Sequence, residues 1–365
     1  MFRLEIDRVL NKLSKTISSR QCNEEPNNGE QGARQFETVE GELYSLLREL
    51  PLPIGNENML VLCQAQVEGR GEDFPLAVCA ENGVFLGVLD GCGGSGGKEY
   101  ASFGGHTGAW AASRAVALAA EDWFLNAPLS EQGEKTALKT YVDGALQACK
   151  ASEATKNMLL GSLSKEFPTT IALFHKEMNG ELVRFHWCGD SRCYVLNGDG
   201  LRQATLDDTA VQDAMRNLRE DAPMTNVASA SQPFILHERD LKISAPALLI
   251  GATDGCFGYL PSPMDFERLL LETMLRSNSM AEWKRRLDAA IARVSGDDYT
   301  LVAYLHGFKG FIEMKRALRG RLEYMKAHYP PTASENVLFE QWETYKANYE
   351  ELLHGNEADS ERGYA

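Results

Sequence analysis

The stretch Val84-Phe-Leu-Gly-Val-Leu-Asp-Gly91 is a short apolar run that ends in an aspartate and a glycine. A second stretch, Ala247-Leu-Leu-Ile-Gly-Ala-Thr-Asp-Gly255, repeats this pattern farther along the chain. Short apolar runs that are bounded by turn residues predict β-strands. We therefore expect two strands that each carry a carboxylate at the end of a sheet.

Further strands and helices surround these two stretches between Leu60 and His306. The other strand candidates are Leu60–Ala65, Leu76–Ala80, Thr170–His175, Leu182–Cys188, Cys193–Leu196 and Tyr299–Leu305. Helical spacing covers about Thr107–Ala120, Glu134–Leu160, Met264–Leu275 and Ala281–Val294. Asn179-Gly180 predicts a tight hairpin within a meander of three strands. Strands and helices are grouped along the chain, and this grouping favours an α+β fold over repeated βαβ units.

Both ends of the chain have a different pattern. Residues 2–17 have helical spacing, residues 18–36 are polar like a linker, and a short helix is expected over residues 38–50. Beyond Gly307, two helices separated by Pro330-Pro331 predict a helical hairpin whose aromatic stripe either packs on the main domain, which we favour, or binds a partner. We expect a helical and linker extension over residues 1–55, a catalytic domain over 56–306 and a hairpin over 307–365.

Composition limits the class of protein. The 365 residues include 44% hydrophobic side chains, enough for a large core, and the formal net charge is −15. Such acidity argues against binding to nucleic acid, because a negative field repels phosphate backbones. No apolar run approaches the roughly 20 residues of a membrane span. The eight cysteines are dispersed, so we expect free thiols in a cytoplasmic protein.

Five aspartates follow or precede the predicted strands, and they are the best candidates for a functional site: Asp73, Asp90, Asp190, Asp254 and Asp297. An isolated Asp-Gly is usually a hairpin turn, but neither Asp90-Gly91 nor Asp254-Gly255 leads directly into an alternating strand. Carboxylates that converge at one end of a sheet repel each other unless cations are bound. Oxygen ligands favour Mg²⁺ or Mn²⁺, and two such ions can hold a phosphate and activate a water molecule.

The sequence resembles the metal-dependent type 2C protein serine/threonine phosphatases, the PPM family, in its bacterial form. Six blocks carry the resemblance in the family's order: Glu72-Asp73; Val88-Leu-Asp-Gly-Cys-Gly-Gly94; Pro168-Thr-Thr-Ile-Ala172; Cys188-Gly-Asp-Ser-Arg-Cys-Tyr194; Gly251-Ala-Thr-Asp-Gly255; and Gly296-Asp-Asp-Tyr-Thr-Leu301. It implies a four-layer αββα sandwich of two mainly antiparallel sheets flanked by helices. It also implies hydrolysis of phosphoserine and phosphothreonine in proteins, with a cognate kinase as a further partner.

The resemblance also implies roles for individual residues. Asp90 would bridge two Mg²⁺ or Mn²⁺ ions, with the Gly91 carbonyl on one of them, and Asp254 and Asp297 would hold the other. Asp73, together with Glu72, would reach a metal directly or through water, and Asp190 matches a third, weaker site. Asp73, Asp90 and Asp254 would be the catalytic residues, because a water bridging the ions becomes acidic enough to attack phosphorus.

Three positions depart from the family's pattern. Cys92 stands where many members have a histidine proposed as the general acid, and His106 is the nearby candidate to replace it. Glu68 stands where some members have a phosphate-binding arginine, and Arg70 is close but in a different register. Asp298 stands where the final motif usually has asparagine.

Three other functions compete with hydrolysis at a metal site. The Gly-rich loop Cys92–Lys98 resembles a nucleotide-binding loop, but Glu99 replaces the Ser or Thr that would touch Mg²⁺. A cysteine-dependent phosphatase needs an arginine six residues after its cysteine, which none of the eight cysteines has. A pseudophosphatase that binds phosphoproteins remains the main alternative. Each extension contributes −2 to the charge, so −11 lies in residues 51–306, where metal is needed to reverse the repulsion of phosphate.

Overall fold

The computed structural model describes residues 43–81, 83–127, 137–152, 166–178, 180–220 and 222–354. The helix and linker expected over residues 2–36 lie outside these ranges. The chain forms two compact units. The first consists of Met1–Leu52, Gly91–Thr169 and Ser229–Pro233, and the second of Pro53–Asp90, Thr170–Ala228 and Phe234–Ala365.

The first unit is helical in its described residues. Residues 43–49 are helical, and they are followed by α1 (Gly93–Gly96), a 3₁₀ turn (Ala101–Phe103), α2 (Gly108–Asn126) and α3 (Leu138–Ala151). The Thr107 hydroxyl caps α2 by accepting a hydrogen bond of 3.1 Å from the Trp110 N–H. The Gly-rich loop predicted from sequence therefore forms the short helix α1 ahead of α2.

The second unit contains two five-stranded sheets. Its strands are β1 (Met59–Gln64), β2 (Phe74–Ala80), β3 (Gly83–Leu89), β4 (Ile171–Glu177), β5 (Leu182–Cys188), β6 (Arg192–Asn197), β7 (Gly200–Gln203), β8 (His237–Lys242), β9 (Ala247–Ala252) and β10 (Tyr299–His306). The first sheet has the order β1-β10-β9-β6-β7 and the second the order β2-β3-β4-β5-β8. All pairings are antiparallel, so the α+β class with two antiparallel sheets is confirmed.

The two sheets of this unit share one apolar core. Val61 and Val302 of the first sheet belong to the same buried cluster as Leu86 and Phe174 of the second. Neighbouring residues such as Leu60 point to the other face, where they join a cluster formed with helices. Side chains alternate between the two faces of a strand. Burial on both faces explains why these strands are continuous apolar runs in the sequence.

The expected three-strand meander is wrong. β4 and β5 pair with each other, but β6 joins the other sheet between β9 and β7. The chain changes sheet at Gly189, whose φ of +99° is rare for other residues. A Cβ there would lie 2.8 Å from the Thr170 Cβ, so only glycine fits this turn.

Two strands, β7 and β8, were not predicted. β7 has only four residues, and β8 reads His-Glu-Arg-Asp-Leu-Lys, which lacks an apolar run. The pairing of β8 with β5 is instead stabilised by polar contacts across the strands: Arg184 donates to both carboxylate oxygens of Asp240, at 2.7 and 2.8 Å. A strand of this kind carries no hydrophobic signal.

Helices pack on the outer face of the first sheet. They are α4 (Ala214–Asn217), α5 (Pro263–Leu275), α6 (Met280–Ile291), α7 (Phe311–Ala317), α8 (Arg319–His328) and α9 (Glu335–Tyr349). The short helix α10 (Glu351–His354) follows, and its Leu352 packs against the core between the two sheets. Ser262 and Ser279 cap α5 and α6 by accepting backbone N–H bonds. The aromatic stripe of α9 is buried in the same cluster as α5 and α6, with Trp342, Tyr345 and Tyr349 each 1% exposed. None of the helices described is long and apolar enough to cross a membrane.

Candidate active site

Asp73 lies immediately before β2 and is buried. The Thr253 hydroxyl donates a hydrogen bond of 2.9 Å to its Oδ2, and Thr253 accepts in turn from the Thr300 N–H at 2.9 Å. Burial, and then the charges of Asp254 and Asp298, raise the pKa of Asp73 from 3.8 to about 8. Asp73 is therefore a carboxyl group that is costly to ionise without a nearby cation.

Asp90 follows β3, and its main chain is fixed by Thr170. The Thr170 N–H donates to the Asp90 carbonyl at 2.8 Å, and the Asp90 N–H donates to the Thr170 hydroxyl at 3.4 Å. The same hydroxyl is 2.7 Å from that of Ser191. Burial raises the pKa of Asp90 well above 3.8, and the charges of the other four candidate aspartates add to this shift: Asp73, Asp254, Asp190 and Asp297.

Asp190 lies in the turn between β5 and β6, and Asp208 holds this turn in place. The Asp208 carboxylate accepts from the Gly189 N–H at 2.9 Å, and the Asp208 N–H donates to the Gly189 carbonyl at 2.9 Å. The Oδ1 atom of Asp190 is buried and has no hydrogen-bond partner among the described residues. Burial, and then the charges of Asp254 and Asp207, raise the pKa of Asp190 to about 7. A buried acceptor without a donor is the kind of atom that a cation would satisfy.

Asp254 begins a 3₁₀ turn (Asp254–Cys256) directly after β9 and Thr253. Burial raises the pKa of Asp254, the charge of Asp297 raises it further, and a hydrogen bond with Asp90 opposes the shift. Gly255 is required here, because a Cβ at this position would lie 1.9 Å from the Asp298 carbonyl oxygen. The turn that carries Asp254 thus packs directly against the backbone that carries Asp297 and Asp298.

Asp297 and Asp298 precede β10 and have different surroundings. Asp297 is an exposed residue, but its carboxyl group is partly shielded from water, and this desolvation raises its pKa. The Oδ1 atom of Asp297 accepts a hydrogen bond of 2.8 Å from the Asp298 N–H. Asp298 accepts backbone N–H bonds from Gln66 at 2.7 Å and from Glu72 at 2.6 Å. Asp298 therefore holds the loop that leads to Asp73.

The five aspartates come from five separate segments of the second unit, and their charges act on one another. Hard carboxylate oxygens, mutual repulsion and the unpartnered Oδ1 of Asp190 all fit divalent cations such as Mg²⁺ or Mn²⁺. Among the described residues, no group of three or more His, Cys, Asp or Glu side chains is placed so that it could hold a metal ion. The chemistry of the carboxylate oxygens fits the ions.

Three other residues singled out from the sequence belong to the first unit. Gly91 belongs to the first unit, where its carbonyl accepts from the Gly93 N–H at 2.7 Å. Cys92 is half-buried in that unit, and His106 stacks on Trp110 with ring centroids 4.0 Å apart. Burial and the charges of Arg114 and Arg48 lower the pKa of His106, which disfavours its cationic form.

Two further sequence candidates make no contact with a carboxylate of the site in the described residues. Arg70 is exposed, and its N–H donates to the Val67 carbonyl. The Lys98 ammonium lies 4.3 Å from the ring centroid of Tyr100, so the lysine of the Gly-rich loop is held against an aromatic ring.

The sequence reasoning missed the polar residues that hold the carboxylates. Thr253 and Thr170 are each fully buried, and each bonds to the side chain or main chain of a candidate aspartate. Asp208 was also missed, although the run Leu206-Asp-Asp-Thr209 offered a signal. The cluster opens onto a cavity of about 300 Å³ whose lining includes Asp190, Asp254 and Arg219.

Comparisons with known proteins point to one family. Residues 69–292 match the family model described as Protein phosphatase 2C, a range that includes Asp73, Asp90, Asp190 and Asp254 and ends before Asp297. No curated protein sequence matches the chain.

Solved structures resemble this chain at low sequence identity. The serine/threonine phosphatase Stp1 from Staphylococcus aureus is 17% identical, with 71% of this chain and 99% of that one covered at a TM-score of 0.50. A structure described as a bacterial serine phosphatase is 17% identical over 70% of this chain and all of that one, also at 0.50. The catalytic domain of the phosphatase PstP, in complex with two manganese ions, is 21% identical. The match covers 68% of this chain and 97% of that one, at a TM-score of 0.47. At this identity, the likeness to the first two structures shows the fold.

Proposed function

Because this chain belongs to the protein phosphatase 2C family, and so to the protein serine/threonine phosphatases, we propose that it hydrolyses phosphoserine and phosphothreonine in proteins with Mg²⁺ or Mn²⁺. The observation that carries this proposal is the set of five mutually repelling aspartates in one unit. Two ions are expected, with a third and weaker site at Asp190. A cognate kinase would supply the phosphorylated substrates.

The candidate ligands are Asp73, Asp90, Asp254 and Asp297, with the Gly91 carbonyl as a further one. Bound ions would supply positive charge for the phosphate and lower the pKa of a coordinated water. The chain's own contribution is to hold the ligands in place. Thr253 orients one oxygen of Asp73, Thr170 fixes the main chain at Asp90, and Asp208 fixes the turn at Asp190. Loss of a hydrogen bond that holds a metal ligand in place typically lowers metal affinity by about 10- to 100-fold.

The proposal is tested by hydrolysis of a phosphothreonine peptide with Mn²⁺, with and without a chelator. Wild type should be active only with free Mn²⁺, and Asp90→Asn should lose at least about 100-fold in rate, because a carboxylate that would hold the ions loses its charge. Asp199→Asn, the same change on the exposed turn between β6 and β7, is the matched control. Equal activity in all samples would remove the metal mechanism.

A pseudophosphatase that binds phosphoproteins is the second candidate. Two observations favour it. Among the described residues, no group of three or more His, Cys, Asp or Glu side chains is placed to hold a metal ion, and Cys92 replaces the histidine of many relatives. Wild-type protein that binds the phosphopeptide but hydrolyses neither it nor p-nitrophenyl phosphate at saturating Mn²⁺ would support this alternative.

A further inference from the structure

A cavity of about 300 Å³ adjoins the acidic cluster within the second unit. Asp190 and Asp254 line it together with residues of the segment that follows β7, including Thr209, Asn217 and Arg219. This volume exceeds that of a phosphate group. The cavity can therefore accept part of the substrate next to the phosphorylated residue.

Among the described residues, two arginines line this cavity, Arg192 and Arg219, and they differ in burial. Arg192 is buried and donates three hydrogen bonds to the Asp207 carboxylate, the shortest being 2.6 Å, so its charge is balanced inside the protein. Arg219 has a side chain that is 31% exposed. Its carboxylate partner, Glu335, does not line the cavity.

Glu335 is the first residue of α9 and reaches Arg219 from the C-terminal extension. Its Oε1 lies 2.5 Å from the Arg219 Nη1, and its side chain is 65% exposed. The guanidinium also lies 5.4 Å from the ring centroid of Phe339, one turn farther along α9. An exposed ion pair of this kind contributes little to stability, so another carboxylate can replace Glu335 at small cost.

We propose that Arg219 binds an acidic side chain next to the phosphorylated residue of the substrate, and that Arg219 pairs with Glu335 when no substrate is bound. The inference rests on the proposed phosphatase function and specifies its substrates as phosphopeptides with acidic flanking residues. The Arg219 guanidinium already pairs with one carboxylate, that of Glu335, so it can pair with a carboxylate of a substrate. Arg219 would thereby offset the repulsion between an acidic peptide and a protein of net charge −15.

The test compares two phosphothreonine peptides that differ only in having Glu or Gln beside the phosphorylated residue. Wild type with Mn²⁺ should prefer the Glu peptide in kcat/KM. Arg219→Gln should reduce this preference about 3- to 10-fold, mainly through KM, the usual size of one partly exposed charged contact. Glu335→Gln should lower KM for the Glu peptide about 2- to 5-fold, because the competing carboxylate is gone.

Arg276→Gln is the matched control, since exposed Arg276 pairs with Glu272 and neither residue lines the cavity. It should leave the ratio between the two peptides unchanged. An unchanged ratio in Arg219→Gln overturns the proposal. A loss of thermal stability in this variant, with an equal fall in kcat/KM for both peptides, also overturns it. A higher KM of Glu335→Gln for the Glu peptide shows that Glu335 does not compete with the substrate. Absence of wild-type hydrolysis of p-nitrophenyl phosphate with Mn²⁺ would instead indicate failure of the phosphatase function itself.

Discussion

Single hydrogen bonds set the positions of the candidate ligands, and Asp298 shows this most clearly. Its carboxylate accepts N–H bonds from both Gln66 and Glu72, on either side of the loop that leads to Asp73. Asparagine, the usual residue of the family here, has only one oxygen and would place an NH₂ group against one of these donors. Aspartate at this position is therefore suited to holding the loop from both sides.

Asp298→Asn should weaken Mn²⁺ binding about 10-fold, because one of the two N–H groups loses its acceptor and the loop before Asp73 loosens. Calorimetric titration with Mn²⁺ measures this directly. Asp199→Asn provides the control for an amide substitution away from the site. Unchanged Mn²⁺ affinity in Asp298→Asn would show that the loop is held by other contacts.

Gly255 is a second position at which the geometry of the site depends on a single residue. A methyl group there would meet the Asp298 carbonyl oxygen at 1.9 Å, so Gly255→Ala must move the backbone on which Asp254 or Asp298 depends. We expect lower stability by about 2 kcal/mol or more and loss of Mn²⁺ binding. Gly144→Ala in α3 is the control, because it meets no atom within 4 Å and should be neutral or stabilising. Equal behaviour of the two variants would contradict the close approach.

At the scale of elements, the C-terminal helices are built into the core through a buried charge network. Glu267 of α5 is completely buried; it accepts from Arg321 of α8 at 2.6 and 3.0 Å and from the Tyr345 hydroxyl of α9 at 2.6 Å. This network links three helices by charge-assisted bonds. The extension beyond residue 306 therefore shares the core of the second unit.

Arg321→Met should cost about 3–5 kcal/mol in the free energy of unfolding, because Glu267 keeps a buried charge without its cation. The double variant Arg321→Met with Glu267→Leu should recover most of this loss. Urea unfolding of the three proteins measures both effects. If the single variant is as stable as wild type, the pair is not buried in the way described.

Eight strands could be predicted from the sequence, because burial on both faces makes each of them an apolar run. The candidate aspartates could be predicted because they directly follow or precede these runs. β8 could not be predicted, since its pairing depends on contacts such as Arg184 with Asp240 that join distant residues. The change of sheet after β5 was missed for a similar reason. Gly189 is visible in the sequence, but the neighbouring Thr170 that makes it necessary comes from another strand.

At the scale of the whole molecule, the acidic cluster makes stability depend on pH. The folded chain keeps protons on Asp190 up to a pKa of about 7 and on Asp73 up to about 8, whereas the unfolded chain releases them near pH 4. The folded state binds more protons in this window, so its stability falls as pH rises through it. Burial lowers the pKa of His186 to about 3, so the unfolded chain binds more protons at this residue below about pH 6.5. His186 therefore opposes the fall in stability only below that pH.

The metal-free protein should therefore melt at a lower temperature at pH 8.5 than at pH 6.5. Each lost kcal/mol lowers Tm by about 2–4 °C in a domain of this size. Melting curves in the presence of a chelator measure this fall, and Mn²⁺ should reverse it at pH 8.5. Asp90→Asn removes one of the repelling charges, so it should reduce both the fall and the response to Mn²⁺. A Tm that does not change between these pH values would contradict the shared repulsion.

If these aspartates form one cation site, the metal-free protein must bind Mn²⁺, and calorimetric titration at pH 7 measures this binding. We predict binding of two ions with release of protons, seen as a dependence of the heat on the ionisation enthalpy of the buffer, because carboxyl groups that carry protons must ionise to bind metal. Asp90→Asn should lose this binding, and Asp199→Asn should keep it. Absence of Mn²⁺ binding in wild type, or equal binding in Asp90→Asn, would show that these aspartates do not form a cation site.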